Sequence, residues 1–302
     1  MRTQKIFIGI GKFVITLGLI CLFVIQVTEA IRHAQIRTLN HFMPHSYEDL
    51  FRIENNPQGS DKFRLPRYLL YYRIVTTLSP QKAGAHALSG FCYYHLDRIP
   101  EAVEAYQRAV ALNAGIISHH YNLGFLLFEQ KRYDEAIVSF RQAVSLKNTD
   151  YLKTLLNSKI YRPIFFKSPF KESEILRERI KAQYFHSYRL LLLSYYYSQN
   201  YSGLRDVIPK AFSQGFEKDG VFYYYLGLAS FEMKDYERGI YYLKEAIDRQ
   251  FDCAESFYYL GLCLRELGKE DVAQKVLSQA KRYQEEQKTC IEKEEPSRLR
   301  IF

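Results

Sequence analysis

Eight histidines and five cysteines are the side chains of this 302-residue chain best suited to metal or nucleophilic chemistry, and their spacing organises neither. His41 and His45 have the i,i+4 separation that sets two imidazoles on one helical face as a metal pair, but Pro44 between them breaks the helix that would align them. His119 and His120 are adjacent, so on a helix they point in different directions, and neither has a carboxylate or cysteine at ligand spacing. Cys92, Cys253, Cys263 and Cys290 are scattered and form no CxxC pair. Cys253 and Cys263, ten apart, would fall on different faces of one helix, and the expectation is free, mostly packed thiols. Cys21 follows Ile20, which is too large for the small residue that precedes a lipidated cysteine. A GxxxxGK[ST] phosphate loop, a GxSxG elbow and an HExxH helix are all missing from the sequence. The pattern predicts no enzyme, no metal site and no cofactor.

What does recur is glycine. Gly90 and Gly124 are 34 residues apart, as are Gly227 and Gly261, and all four stand at one helical register. Gly90 is followed by Tyr93, Ala102, Tyr106 and Ala109, and Gly124 by Leu127, Ala136, Phe140 and Ala143. Gly261 is followed by Leu264, Ala273, Leu277 and Ala280, and Gly227 keeps the frame with Ser230, Gly239, Leu243 and Ala246. A period of this size marks a solenoid of helical hairpins, in which small residues let antiparallel helices approach and Tyr106, Phe140, Leu243 and Leu277 fill the space between.

These residues resemble the tetratricopeptide repeat family, specifically over 83–147 and 221–284. The family's early tryptophan is replaced by His86, His120, Tyr223 and Phe257. The resemblance implies an all-α fold, a right-handed solenoid of helical hairpins. The middle of the chain keeps the count more than the residues. A degraded repeat around Leu192 offers Tyr195, Leu204, Ile208 and Ala211, and no Pro or Gly interrupts Lys171 to Ser198. Pro163 and Pro169 argue for an aberrant repeat or hinge at 148–170. Pro66 to Pro80 reads as the second half of an incomplete leading repeat. The predicted organisation is an N-terminal segment 1–30, a linker 31–65, a first half-array 66–147, the hinge 148–170, a second half-array 171–284 and a charged tail 285–302.

Ile6 to Val27 is apolar apart from Lys12, Thr16 and Gln26, long enough at about 1.5 Å per residue to cross a hydrocarbon core of about 30 Å. Lys12 lies where its side chain can snorkel toward headgroups. The expectation is an uncleaved single-pass anchor that partners the membrane. Its competitor is a signal peptide cleaved after Thr28-Glu29-Ala30. Arg2, Lys5 and Lys12 precede or begin the segment and Glu29, Arg32 and Arg37 follow it, a slight bias that puts the repeats on the non-cytoplasmic side. Net charge is +9. The denser basic stretch 153–181 reads as a solvated helix face, and a nucleic-acid partner is not favoured.

In each first helix the residues three before, one after and four after the glycine form a stripe beside the packing face. In the resembling family this stripe lines the concave groove that receives a peptide or helix. Here it comprises Ala87, Phe91 and Tyr94, then Tyr121, Phe125 and Phe128, then Arg189, Leu193 and Tyr196. Tyr224, Leu228 and Phe231 follow, and Tyr258, Leu262 and Arg265 complete it. The candidate binding residues are therefore Phe91, Tyr94, Tyr121, Phe125, Phe128, Arg189, Tyr196, Tyr224, Phe231, Tyr258 and Arg265. So aromatic a stripe suits a protein or peptide partner with an apolar segment. Alternatively the rings complete the packing, or the chain fills its own groove with residues 31–55 or the tail after Gln284. Two functional readings follow: a membrane-tethered scaffold, or a secreted or periplasmic assembly factor released by cleavage.

Overall fold

A computed structural model describes residues 2–42, 50, 52–54, 56, 59–146, 172–286 and 288, and every regular element among them is helical. Helix α1 (Arg2–Phe42) is followed by a 3-10 turn (Ser60–Arg64) and α2 (Leu65–Leu78), which starts on Pro66 and ends before Pro80. Five hairpins come next. They are α3 (Ala83–His95) with α4 (Ile99–Leu112), α5 (Ile117–Glu129) with α6 (Tyr133–Ser145), α7 (Glu172–Tyr197) with α8 (Tyr201–Ala211), α9 (Gly220–Glu232) with α10 (Tyr236–Asp248), and α11 (Ala254–Glu266) with α12 (Glu270–Glu285). The predicted hinge at 148–170 lies outside the described residues.

The repeated glycines set the hairpin spacing. A Cβ at Gly90 would stand 2.8 Å from the Tyr106 ring, one at Gly124 2.8 Å from Phe140, one at Gly227 2.5 Å from Leu243 and one at Gly261 2.7 Å from Leu277. Each large residue thus lies in a notch that only a missing side chain leaves open. The degraded repeat inverts the pair. Leu192 replaces the glycine and faces a second helix whose Gly203 would bring a Cβ within 2.4 Å of the Tyr195 ring. Small-against-large packing survives with its partners exchanged.

First and second helices bury very different fractions of their surface. Ile117 to Leu127 of α5 are all buried, and so is α9 from Gly220 to Ser230 except Tyr223. By contrast α10 buries only Gly239, Leu243 and Ala246, and α12 only Ala273 and Ala280. First helices therefore form the interior and second helices the solvent-facing layer, as stacking of half-apolar hairpins demands.

The turns inside the hairpins repeat as strictly as the helices. Asp97, Lys131, Gln199, Lys234 and Gly268 all have positive φ, between 58° and 72°. The next amide reaches back to the helix: Arg98 N to Tyr93 O, Arg132 N to Leu127 O, Asn200 N to Tyr195 O, Asp235 N to Ser230 O and Lys269 N to Leu264 O, each at 2.8–3.0 Å. This is the Schellman closure, whose left-handed residue is ordinarily glycine. Gln199 holds the position in the degraded repeat, so α7 and α8 turn as a full hairpin.

Three sequence expectations change. Helix α1 does not stop near residue 30 but runs without a break to Phe42, because nothing between Ile31 and Phe42 interrupts a helix and the first proline is Pro44. Part of the expected linker is core: Leu50 and Ile53 are fully buried and join the central apolar cluster. Cys253 is disulfide-bonded rather than free, whereas Cys92 and Cys263 are free and buried; Cys290 lies outside the described residues. The side chains of Lys12 and His41, residue His45 and the tail from 289 onward also lie outside them.

The left-handed turns predict an asymmetric response to substitution. Lys234→Gly relieves a side chain held at φ 60° and raises stability by roughly 0.5–1 kcal/mol, whereas Gly268→Ala lowers it by about 1 kcal/mol. Urea unfolding of the two variants checks both signs.

Candidate interaction surface

The inner stripe is assembled by the first helices, and its residues divide by depth. Phe91, Tyr121, Phe125, Arg189 and Tyr224 are buried; Tyr94, Phe128, Tyr196 and Phe231 are half-buried; Tyr258 and Arg265 are exposed. In the first half-array the rings pack on one another. Phe91 lies 4.4 Å from the His95 ring, Tyr94 meets Phe125 edge-on at 5.9 Å, and Tyr121 stacks on Phe125 at 6.5 Å and lies 6.1 Å from Phe140. Such contacts add about 0.5–1.5 kcal/mol each beyond burial, so Phe91, Tyr121 and Phe125 act as core.

The buried part of the linker belongs to the same interior. Glu54, 1 % exposed, carries its carboxylate to Arg179 of α7 across 125 residues of sequence. A buried ion pair contributes little net stability over an apolar substitute, yet removing one partner costs roughly 3–5 kcal/mol. The Glu54–Arg179 pair therefore fixes where the linker crosses the array more than it strengthens the fold. Lys62 approaches His95 closely enough to help depress its pKa.

Farther along, the half-buried rings gather at the C-terminal ends of the first helices. Phe128 lies 5.5 Å from Tyr133 and 6.0 Å from Tyr197, and Tyr133 stacks on Tyr197 at 5.2 Å. Tyr196 is 6.1 Å from Tyr201, and Phe231 is 5.9 Å from Tyr236 and 5.4 Å from Tyr259. Burial first, then the nearby Tyr259 hydroxyl and Glu232 carboxylate, push the Tyr196 phenol well above its ordinary range. Tyr201 is raised by burial, Glu232 and Tyr259. Tyr201, Glu232 and Tyr259 were outside the sequence stripe; the doublet Tyr258-Tyr259 was the available signal, since adjacent rings on a helix must face different ways. Tyr258 itself is 48 % exposed and lines a cleft of about 520 Å³ with Glu255, Leu277, Lys281 and Gln284.

No acid–base or metal site emerges at the histidines. His119 is fully enclosed, and burial lowers its pKa to about 4; the neighbouring His120 receives a 2.9 Å contact between its Nε2 and the Ala114 carbonyl and packs where the repeat consensus has tryptophan. His95 is likewise lowered to about 4 by burial and by Lys62, against Asp97. Among the described residues no group of three or more His, Cys, Asp or Glu is placed to hold a metal ion.

Two segments of the chain match a family model of the tetratricopeptide repeat, residues 118–150 and 255–285. No curated protein matches the sequence. Among solved structures the chain is similar to the assembly chaperone of RpL4 (Acl4), with a TM-score of 0.53 and 13% identity over 80% of this chain and 97% of that one. It is also similar to PilW, a type IV pilus biogenesis factor, with a TM-score of 0.51 and 12% identity over 78% and 91% of the two chains. The corresponding values for Pseudomonas aeruginosa pilF are 0.46, 16%, 86% and 98%. At these identities the likeness is one of fold.

Enclosure of a neutral imidazole makes stability depend on pH. The His119 pKa in the fold, about 4, lies below its ordinary 6.5, so its contribution is complete above pH 6.5 and is lost as pH falls from 6.5 through 4. The loss is roughly 3 kcal/mol. Urea unfolding at intervals across that window should show the decline, to which His95, lowered alike, adds its own part, so His119→Leu should remove roughly half of it.

Proposed function

Since this chain is a tetratricopeptide-repeat protein, we propose that it is a non-catalytic scaffold, tethered to a membrane by α1, that holds a protein partner through an apolar segment. The observation that carries the tether is the bareness of α1. From Leu19 to Val27 the helix carries no charged residue and the rest of the chain leaves it uncovered, with Phe23 66 % exposed. A bare, uncharged run of this kind finds its natural solvent in a bilayer.

The partner meets the accessible part of the stripe. In this reading Phe91, Tyr121, Phe125, Arg189 and Tyr224 support the surface from below, while Tyr94, Phe128, Tyr196, Phe231, Tyr258 and Arg265 present it. Tethering keeps a weak groove at high effective concentration for partners in the same membrane.

A photoreactive residue at Tyr258, in the full chain in its native membrane, tests the reading against the same probe at Val138, which is 61 % exposed on the second helix α6. The expected result is a discrete adduct with a membrane-associated protein at position 258 and none at 138. Identical adducts at both positions, or crosslinks only to this chain's own segments, contradict it.

A further inference from the structure

We propose that the outer face of α2, with the 3-10 turn before it, rests on anionic lipid headgroups at the foot of the anchor. The proposal builds on the membrane reading of α1 and adds a second contact with the same bilayer.

Three observations converge on this face. The first is its apolar content: Phe63 is 73 % exposed, Leu70 58 % and Ile74 36 %. They follow one another at helical spacing with Arg67 between Phe63 and Leu70, so a single surface carries a phenyl ring, aliphatic side chains and a charge together. The second is charge. The 3-10 turn holds one acid, Asp61, but from Lys62 to Leu96 the sequence contains no Asp or Glu, while Lys62, Arg64, Arg67, Arg73 and Lys82 are all basic. Lys62 and Arg67 are exposed, and among the described residues no carboxylate pairs with either. Arg73 shares a cleft with Glu101 and Glu104, so its charge is partly offset. Basic side chains interleaved with exposed Phe, Leu and Ile are the composition of a helix that lies in a membrane interface.

The third observation is position. Helix α1 meets α2 near its own C-terminal end, where Ile36 is 4 % exposed and Leu39 packs against the core. Ile36 stands roughly 14 Å along the helix beyond Val27, the end of the apolar run. A helix is about 10 Å across, and a headgroup layer is roughly 5–8 Å deep. The array is therefore attached within one helix diameter of the headgroups, and a small tilt of α1 brings the face of α2 onto them. Each cation then gains about five-fold in association at an anionic surface. A second copy of this chain is the rival occupant. Its α2 would present the same cations to these, and like charges opposed across an interface weaken it.

The test uses the full chain in lipid nanodiscs with Leu70 replaced by an environment-sensitive fluorescent amino acid. In discs containing phosphatidylglycerol the emission should shift to the blue and be quenched by brominated lipid, and both effects should fade with salt. In pure phosphatidylcholine they should be several-fold weaker. Lys62→Glu with Arg67→Glu should weaken the docking equilibrium by at least about ten-fold, whereas the same probe at Tyr241, 56 % exposed on α10, should not respond. A probe at position 70 indifferent to lipid charge overturns the proposal while leaving the anchor intact. A shift that appears equally in detergent and grows with protein concentration also overturns it, in favour of a second copy. Failure of the chain to enter discs at all overturns this contact and the membrane reading together.

Discussion

The architecture depends on one steric relation, a residue without a side chain facing a large one sixteen positions later. Gly90 with Tyr106, Gly124 with Phe140, Gly227 with Leu243 and Gly261 with Leu277 bring the two helices of a hairpin to the separation at which the next hairpin can stack. A glycine in a helix interior costs up to about 1 kcal/mol in propensity. Overpacking by an added methyl costs roughly 1–3 kcal/mol, so the balance favours keeping the glycine. The inverted pair in the degraded repeat, Tyr195 over Gly203, makes the same point: volume is complementary even where the residue order is not.

From that constraint follows a division of surfaces. Because the first helices bury more than half of their residues, the inner face is less an open groove than a packed interior whose accessible remainder is a ridge of half-buried rings from Phe128 to Tyr259. The linker takes part in closing it, with Leu50 and Ile53 in the core and Glu54 locked to Arg179. Helix α1 and the array are consequently joined by packed structure as well as by chain connectivity, since Ile36 is buried as α1 arrives. On the membrane reading proposed above, α1 sets the height of the partner surface over the bilayer.

The sequence made legible whatever is encoded locally. The 34-residue period, the glycine frame and the long helix α7 were readable because each depends on neighbours within a turn or two or on one fixed spacing. The end of α1 at Phe42 was also readable in principle, from the lack of any breaker before Pro44. Long-range partnerships were not. Nothing near Glu54 announces Arg179, and nothing near Cys253 announces a disulfide. The depth of Phe91, Tyr121 and Phe125 was equally hidden, because helical periodicity assigns a residue to a face and says nothing of what comes to cover that face. Aromatic residues at stripe positions are ambiguous for the same reason, as rings suit a core and a binding surface alike.

A double-mutant cycle at one notch addresses the central relation most directly. Gly124→Ala, Phe140→Ala and the pair together are compared by urea unfolding of the full chain. If the missing side chain exists to admit the ring, Gly124→Ala destabilises the native protein despite its better helix propensity, and in the presence of Phe140→Ala its effect reverses sign, giving a coupling of at least about 1 kcal/mol. Additivity within roughly 0.3–0.5 kcal/mol, or a stabilising Gly124→Ala with Phe140 in place, would contradict the account.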